Sequence, residues 1–332
     1  MTRERRARIV FDALVLALAL CVFATPTLVS HARDDSVSFN AASKSGDLAS
    51  VTIKGVQVNF HYCEPGTFLM GSPEDEEDRE PFGVSETQHE VTLTKGFWLQ
   101  ETETTQELWE AVAGSNPGEF KGANLPVENV SWNDFQEFIQ KLNDGGYAPE
   151  GWKFSLPTEA QWEYACRAGT TTPFFWGSTL NGEQANCDGS QPYEKKNGGD
   201  YLDSFSSFLL SESAKSNKGK NLEKTAPVKS YAPNAWGFYD MNGNVMEWCQ
   251  DVWGKYPSTA VTDPVGPKEG EGYEWSDADF NYRETGGSSR VIRGGAWQYA
   301  ASFCRAADRT GGGNVDDRSS ALGGRLALVP AR

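Results

Sequence analysis

Only three stretches of this 332-residue chain carry a helical hydrophobic period, and all three are short. The first opens at Thr104, with Glu107 three residues on as a capping box, and ends near Gly114. The second opens at Ser131. Phe135, Phe138, Ile139 and Leu142 then recur at i, i+3, i+4 and i+7, and Gly145 stops it. The third follows Pro157, with Thr158 and Gln161 as a second capping box and Gly169 as its close. Elsewhere apolar pieces of three or four residues alternate with turn residues. Val91-Thr92-Leu93, Gly96-Phe97-Trp98-Leu99, Val291-Ile292-Arg293 and Arg325-Leu326-Ala327-Leu328 read as strands. A chain patterned this way is α+β, low in regular secondary structure, with much irregular backbone.

The first 32 residues read as a signal peptide. Arg3, Arg5, Arg6 and Arg8 form a positive start, Ile9 to Val22 is largely apolar, and Ser30-His31-Ala32 fits a small-x-small cleavage site. Cys21 follows Leu20, which does not match a lipoprotein signal, and Arg5-Arg6 fits twin-arginine export. The apolar run is short for a membrane span and holds Asp12, so no transmembrane anchor is expected after cleavage. Residues 33–50, rich in Ser, Asp and Ala, read as a linker, and one domain is expected over 51–330. Within it, the polar stretch from Cys187 to Lys224 reads as a surface excursion.

Cleavage changes what chemistry is available. Five Cys remain (63, 166, 187, 249 and 304), with two His (61 and 89). Removing 1–32 takes away a net charge of +2, so the formal −16 of the whole chain becomes −18. No basic block stands against that balance, which excludes sequence-independent nucleic-acid binding. Two His exclude a three-histidine metal centre, and neither lies in a hydrolase nucleophile motif.

Six blocks then occur in a distinctive order. They are Gly66-Thr67-Phe68-Leu69-Met70-Gly71, Leu125-Pro126-Val127-Glu128-Asn129-Val130-Ser131-Trp132, Leu156-Pro157-Thr158-Glu159-Ala160-Gln161-Trp162-Glu163-Tyr164, Pro233-Asn234-Ala235-Trp236-Gly237-Phe238-Tyr239-Asp240-Met241, Gly243-Asn244-Val245-Met246-Glu247-Trp248, and Arg290-Val291-Ile292-Arg293-Gly294-Gly295-Ala296-Trp297. The series resembles the formylglycine-generating enzyme (sulfatase-modifying factor) family over about residues 56–328. The resemblance implies a modified C-type-lectin-like fold. It also implies an oxidase that converts a cysteine of a client sulfatase to formylglycine, using molecular oxygen and copper(I) held between two cysteines. Soft thiolates suit copper(I).

Counted from the glycines, the family's first cysteine position holds Tyr299, its serine position holds Ala296, and its second cysteine position holds Cys304. Cys304 is therefore the one candidate catalytic thiol, and its other reading is structural: paired with Cys166, or buried and inert. The family's iron-dependent branch is excluded by the histidine count. The resemblance places calcium on Asp240, Gly243, Val245 and Glu247, whose spacing offers two carboxylates and two carbonyls, the oxygen donors a hard cation needs. It places half of a second calcium site on Asn186 and the Cys187 carbonyl. The expected aspartate position there holds Lys220, with Asp200 or Asp203 of the excursion as substitutes.

The acidic run Glu74–Asp78 reads as a solvated loop. Gly324 stands where the family has Phe, which predicts a relaxed C-terminal strand. The expectation for the whole is an exported, calcium-stabilised module that binds a protein or peptide, periplasmic, cell-surface or extracellular, without the two-cysteine copper site. The alternative is an active oxidase acting on a sulfatase through Cys304.

Overall fold

In chain order the strands are β1 (Leu48–Ile53), β2 (Val56–Cys63), β3 (Gly66–Met70), β4 (His89–Leu93), β5 (Phe97–Gln100), β6 (Trp152–Ser155), β7 (Thr179–Leu180), β8 (Tyr193–Glu194), β9 (Met246–Val252), β10 (Val261–Thr262), β11 (Gly272–Ser276), β12 (Asn281–Gly287), β13 (Arg290–Arg293), β14 (Thr310–Gly313), β15 (Leu322–Gly323) and β16 (Ala327–Pro330). The helices are α1 (Gln106–Ala113), α2 (Trp132–Asp144) and α3 (Glu159–Arg167). The computed structural model describes residues 38–42, 44–79, 86–194, 218–276, 281–287 and 289–331. The signal-peptide reading of 1–32, and Asp200 and Asp203, lie outside the described residues. Among the described residues no helix is long and apolar enough to cross a membrane.

The chain from Ser36 to Arg332 is one unit. Its largest sheet has the order β1-β2-β5-β16-β6, antiparallel throughout, with the C-terminal strand inserted between β5 and β6. A second sheet, β14-β13-β9-β15, carries the functional loops at its ends. A third, β10-β4-β3, and two short hairpins complete the set. β1 begins inside the stretch read as linker, and Phe39 packs edge-on against Trp98 at 4.9 Å, so ordered packing starts earlier than the polar composition indicates.

Local sequence accounts for the helices. Ser131 caps α2 in a capping box with Asp134, and its apolar stripe is buried: Phe135, Phe138, Ile139 and Leu142. Each such side chain contributes roughly 1.5–3 kcal/mol relative to exposure. Trp109 of α1 stacks on Phe138 at 4.5 Å. Thr158 caps α3 in a box with Gln161, as the sequence predicts. Two ends differ. The α1 cap is Thr105, one residue on from Thr104, whose hydroxyl instead donates to Gln100. The α3 cap is Ala168, in the left-handed region, with Gly169 behind it.

Where regular structure is sparse, buried charge holds the loops. Arg293, Arg305, Arg309 and Arg325 are fully buried and pair with Glu163, with Glu76 and Glu86, with Glu159, and with Glu247 respectively. Charge-assisted, multidentate bonds of this kind fix geometry over long sequence separations. They correct the solvated-loop reading of Glu74–Asp78 at Glu76; Glu74, Asp75 and Asp78 are exposed. Glu76 is buried against Arg305, and the Asp78 carbonyl accepts from the same guanidinium. They also move the last strand. Arg325 turns into the interior toward Glu247, so β16 starts at Ala327 rather than Arg325. That end is not relaxed: a Cβ on Gly324 would lie 3.1 Å from the Phe135 ring, which occupies the room a side chain would take.

Candidate functional site

Three loops singled out in the sequence come together at the end of the second sheet. β9 follows the loop Asp240–Val245, and β13 leads into the loop 294–304. Gly294 and Gly295 both take positive φ, and a Cβ on Gly295 would sit 2.6 Å from Cys304 Sγ. Asn242 Nδ2 donates to the Cys304 carbonyl at 2.8 Å, and the Trp297 amide donates to the Asn244 carbonyl at 3.0 Å. The third loop, around Asn186, joins through its carbonyl, which accepts the Asn244 amide at 2.8 Å, and through Asn186 Nδ2, which donates to Asn244 Oδ1. Gly243 stands at φ +125°, and a Cβ there would meet the Asn186 carbonyl oxygen at 2.6 Å. Asn244 thus anchors all three loops.

On the 294–304 loop, Tyr299 stands at the position the resemblance gives to the first cysteine. Its carbonyl accepts the Asp188 amide at 2.9 Å, and its ring faces Phe303 at 5.7 Å. Trp297 packs edge-on against Phe120 and donates its indole N–H to the Ser320 carbonyl. Phe303 is exposed. The loop therefore presents aromatic side chains.

Cys304 is fully buried and sits at the end of a 3-10 turn, Ala301–Cys304. Its thiol lies in one apolar cluster with Cys187, in contact with that residue's thiol and close to the Ala296 backbone. That contact and burial push the Cys304 thiol well above its ordinary range. The partner expected from sequence, Cys166, packs in a different core cluster, where its thiol meets the Met241 carbonyl. All five cysteines among the described residues are buried. A copper clamp at positions 299 and 304 does not fit these residues. One position has no sulfur, and the other thiol is turned inward.

The calcium donors fare differently. Asp240 takes φ 57°, and its Oδ2 accepts the Lys229 amide at 2.8 Å. Glu247 accepts Trp162 Nε1 and both arms of Arg325, which uses three of a carboxylate's four acceptor directions. Glu103, which sequence reading missed, is fully buried beside them and accepts from the Val245 amide and Asn244 Nδ2. Three carboxylates share one buried guanidinium. Burial pushes Asp240 up to about 6, and burial with the neighbouring Asp240 and Glu247 raises Glu103 well above its usual range. Asp240 Oδ1, the open direction on Glu247 and an excess of buried negative charge fit a divalent cation. Among the described residues no three His, Cys, Asp or Glu side chains converge as a metal cluster, so backbone carbonyls must complete any such site.

The half-site at Asn186 and Cys187 is only half supplied. Asn186 Nδ2 donates to the Lys224 carbonyl and Asn244 Oδ1, which leaves Asn186 Oδ1 open, and the Cys187 carbonyl accepts the Gly189 amide with one lone pair. Lys220 holds an ion pair with Glu183 at 3.0 Å where an aspartate is required.

A family model described as sulfatase-modifying factor enzyme 1-like domain matches residues 57–329. The formylglycine-generating enzyme of Mus musculus is 30% identical over 245 residues, covering 72% of this chain and 53% of that protein. The formylglycine-generating enzyme of Streptomyces coelicolor is 31% identical over 269 residues, covering 75% of this chain and 70% of that protein. The chain thus spans about half the length of the mouse relative. Among solved structures, Treponema denticola variable protein 1 superposes with a TM-score of 0.62 at 25% identity, covering 85% of this chain and 99% of that one.

Proposed function

The chain belongs to the sulfatase-modifying factor enzyme 1-like family, and on that premise we propose that it is an exported, calcium-stabilised module that binds a protein or peptide and lacks the copper oxidase chemistry. The observation that carries this reading is Tyr299 at the first cysteine position, with Cys304 facing inward to Cys187. Gly294, Gly295, Asn244 and the Glu247–Arg325 pair hold the loops of this site in place. The first cysteine position carries an aromatic side chain, Tyr299, and the second keeps Cys304. Trp297 with Phe120, and Tyr299 with the exposed Phe303, offer the large, rigid, amphipathic contacts that dominate protein recognition. Export rests on the basic, apolar and small-residue sequence of residues 1–32.

Copper(I) titration of the reduced full chain against a competing chelator tests the reading. No stoichiometric uptake is expected. Tight one-to-one uptake that disappears in Cys304→Ser overturns it in favour of an oxidase acting on a sulfatase.

A further inference from the structure

The thiols of Cys187 and Cys304 come from segments far apart in sequence that the fold lays side by side. Asp188 and Ala300 form a parallel bridge. The Asp188 amide donates to the Tyr299 carbonyl at 2.9 Å, and the Ala301 amide donates to the Gln191 carbonyl at 3.1 Å. Both cysteines enter one small apolar cluster with Phe174, Leu180, Ala185, Tyr193 and Ala301, and Cys187 is the neighbour that most raises the Cys304 thiol. Cys63, Cys166 and Cys249 lie in a separate cluster. We propose that Cys187 and Cys304 form a structural cystine that welds the aromatic loop 294–304 to the Asn186 loop.

The surroundings select this chemistry over the other uses of a facing thiol pair. A soft cation would need both thiols deprotonated, which leaves net negative charge among Phe174, Leu180 and Tyr193. The nearby Asp308 adds to that repulsion, and Arg305 is occupied by Glu76 and Glu86. A cystine is neutral and apolar, and suits the cluster. It forms by exchange with an external disulfide, either a dithiol-oxidant protein or a small-molecule disulfide. One cysteine thiolate attacks a sulfur of that disulfide and releases one thiol. The second cysteine then attacks the mixed disulfide and releases the other. One Cys187–Cys304 bond replaces one external S–S bond, and two electrons and two protons pass to the external pair.

The cystine stands independently of ligand binding, since a chain that binds nothing can hold it and a binding module can lack it. Its consequence for chemistry is direct: Cys304 becomes unavailable to any metal.

The test uses the full chain expressed into an oxidising compartment and purified natively. It is alkylated under denaturing, non-reducing conditions and mapped by mass spectrometry. The expected map joins the Cys187 and Cys304 peptides, with Cys63, Cys166 and Cys249 alkylated. Alkylation of both Cys187 and Cys304, or a link from either to a third cysteine, overturns the proposal. Closing a loop of this length gives an expected Tm loss of about 6 °C on reduction. The double variant Cys187→Ala/Cys304→Ala should show no such loss, and an equal loss in both chains overturns the proposal.

Discussion

At the residue scale, the buried Glu128 shows how one atom sets a pH dependence. Its Oε1 accepts the Phe120 amide at 3.0 Å, while Oε2 is buried with no hydrogen-bond partner among the described residues. Burial pushes its carboxyl up to about 7. The folded chain therefore holds a proton that the unfolded chain releases near the ordinary carboxylate range. Stability from this group is intact in acid and is lost as pH rises through about 7. Glu128→Gln keeps the Phe120 bond and removes the charge. Its Tm should match that of the parent near pH 4 and exceed it by roughly 2–4 °C at pH 8. Thermal melts at the two pH values check this, and an equal shift at both would show that packing rather than ionisation matters there. Glu128 is plain in the motif Pro126-Val127-Glu128-Asn129, yet its burial is not, because a lone carboxylate in sequence carries no sign of which neighbours enclose it.

At the element scale, what sequence reveals depends on how local the cause is. The boxes at Ser131 and Thr158 close within three residues, so both helix starts are legible. At α1 two threonines compete. Thr105 accepts the Leu108 amide and becomes the cap, because Thr104 is pulled into the interior toward Gln100. Thr105→Ala should cost about 1 kcal/mol in urea unfolding through the lost cap, with the m-value unchanged. The buried arginine pairs are the opposite case. Arg325 and Glu247 are 78 residues apart, Arg293 and Glu163 are 130 apart, and Arg305 and Glu86 are 219 apart. No periodicity links such partners, so the C-terminal strand is misplaced by two residues and the burial of Glu76 within the acidic loop is missed. The site shows the same division. The Asp240–Glu247 loop is legible as a contiguous motif. Glu103 beside it and Cys187 beside Cys304 emerge only when the three loops meet.

At the scale of the whole molecule, an acidic chain of net charge −16 has an unusual problem inside as well as outside. Its surface charge is solvated, but Glu103, Asp240 and Glu247 cluster around the buried guanidinium of Arg325, with Lys229 acting on Asp240 from the surface. Uncompensated buried charge is costly, and a divalent cation bound there would remove that cost and crosslink loops that have little regular structure of their own. Calcium at about 100 times its Kd stabilises a folded chain by about 2.7 kcal/mol. For a unit of this size that corresponds to a Tm loss of roughly 4 °C on chelation. Asp240→Asn should abolish most of this loss. It removes one charge and leaves the Arg325–Glu247 pair intact, so a lower baseline stability is not built into the variant. The measurement is a pair of melting curves for each chain, with calcium and with chelator in excess. A parent melting curve unchanged by chelation would mean that the carboxylates of this cluster share protons rather than a metal, and the loops would then owe their order to Asn244 and the arginine pairs alone.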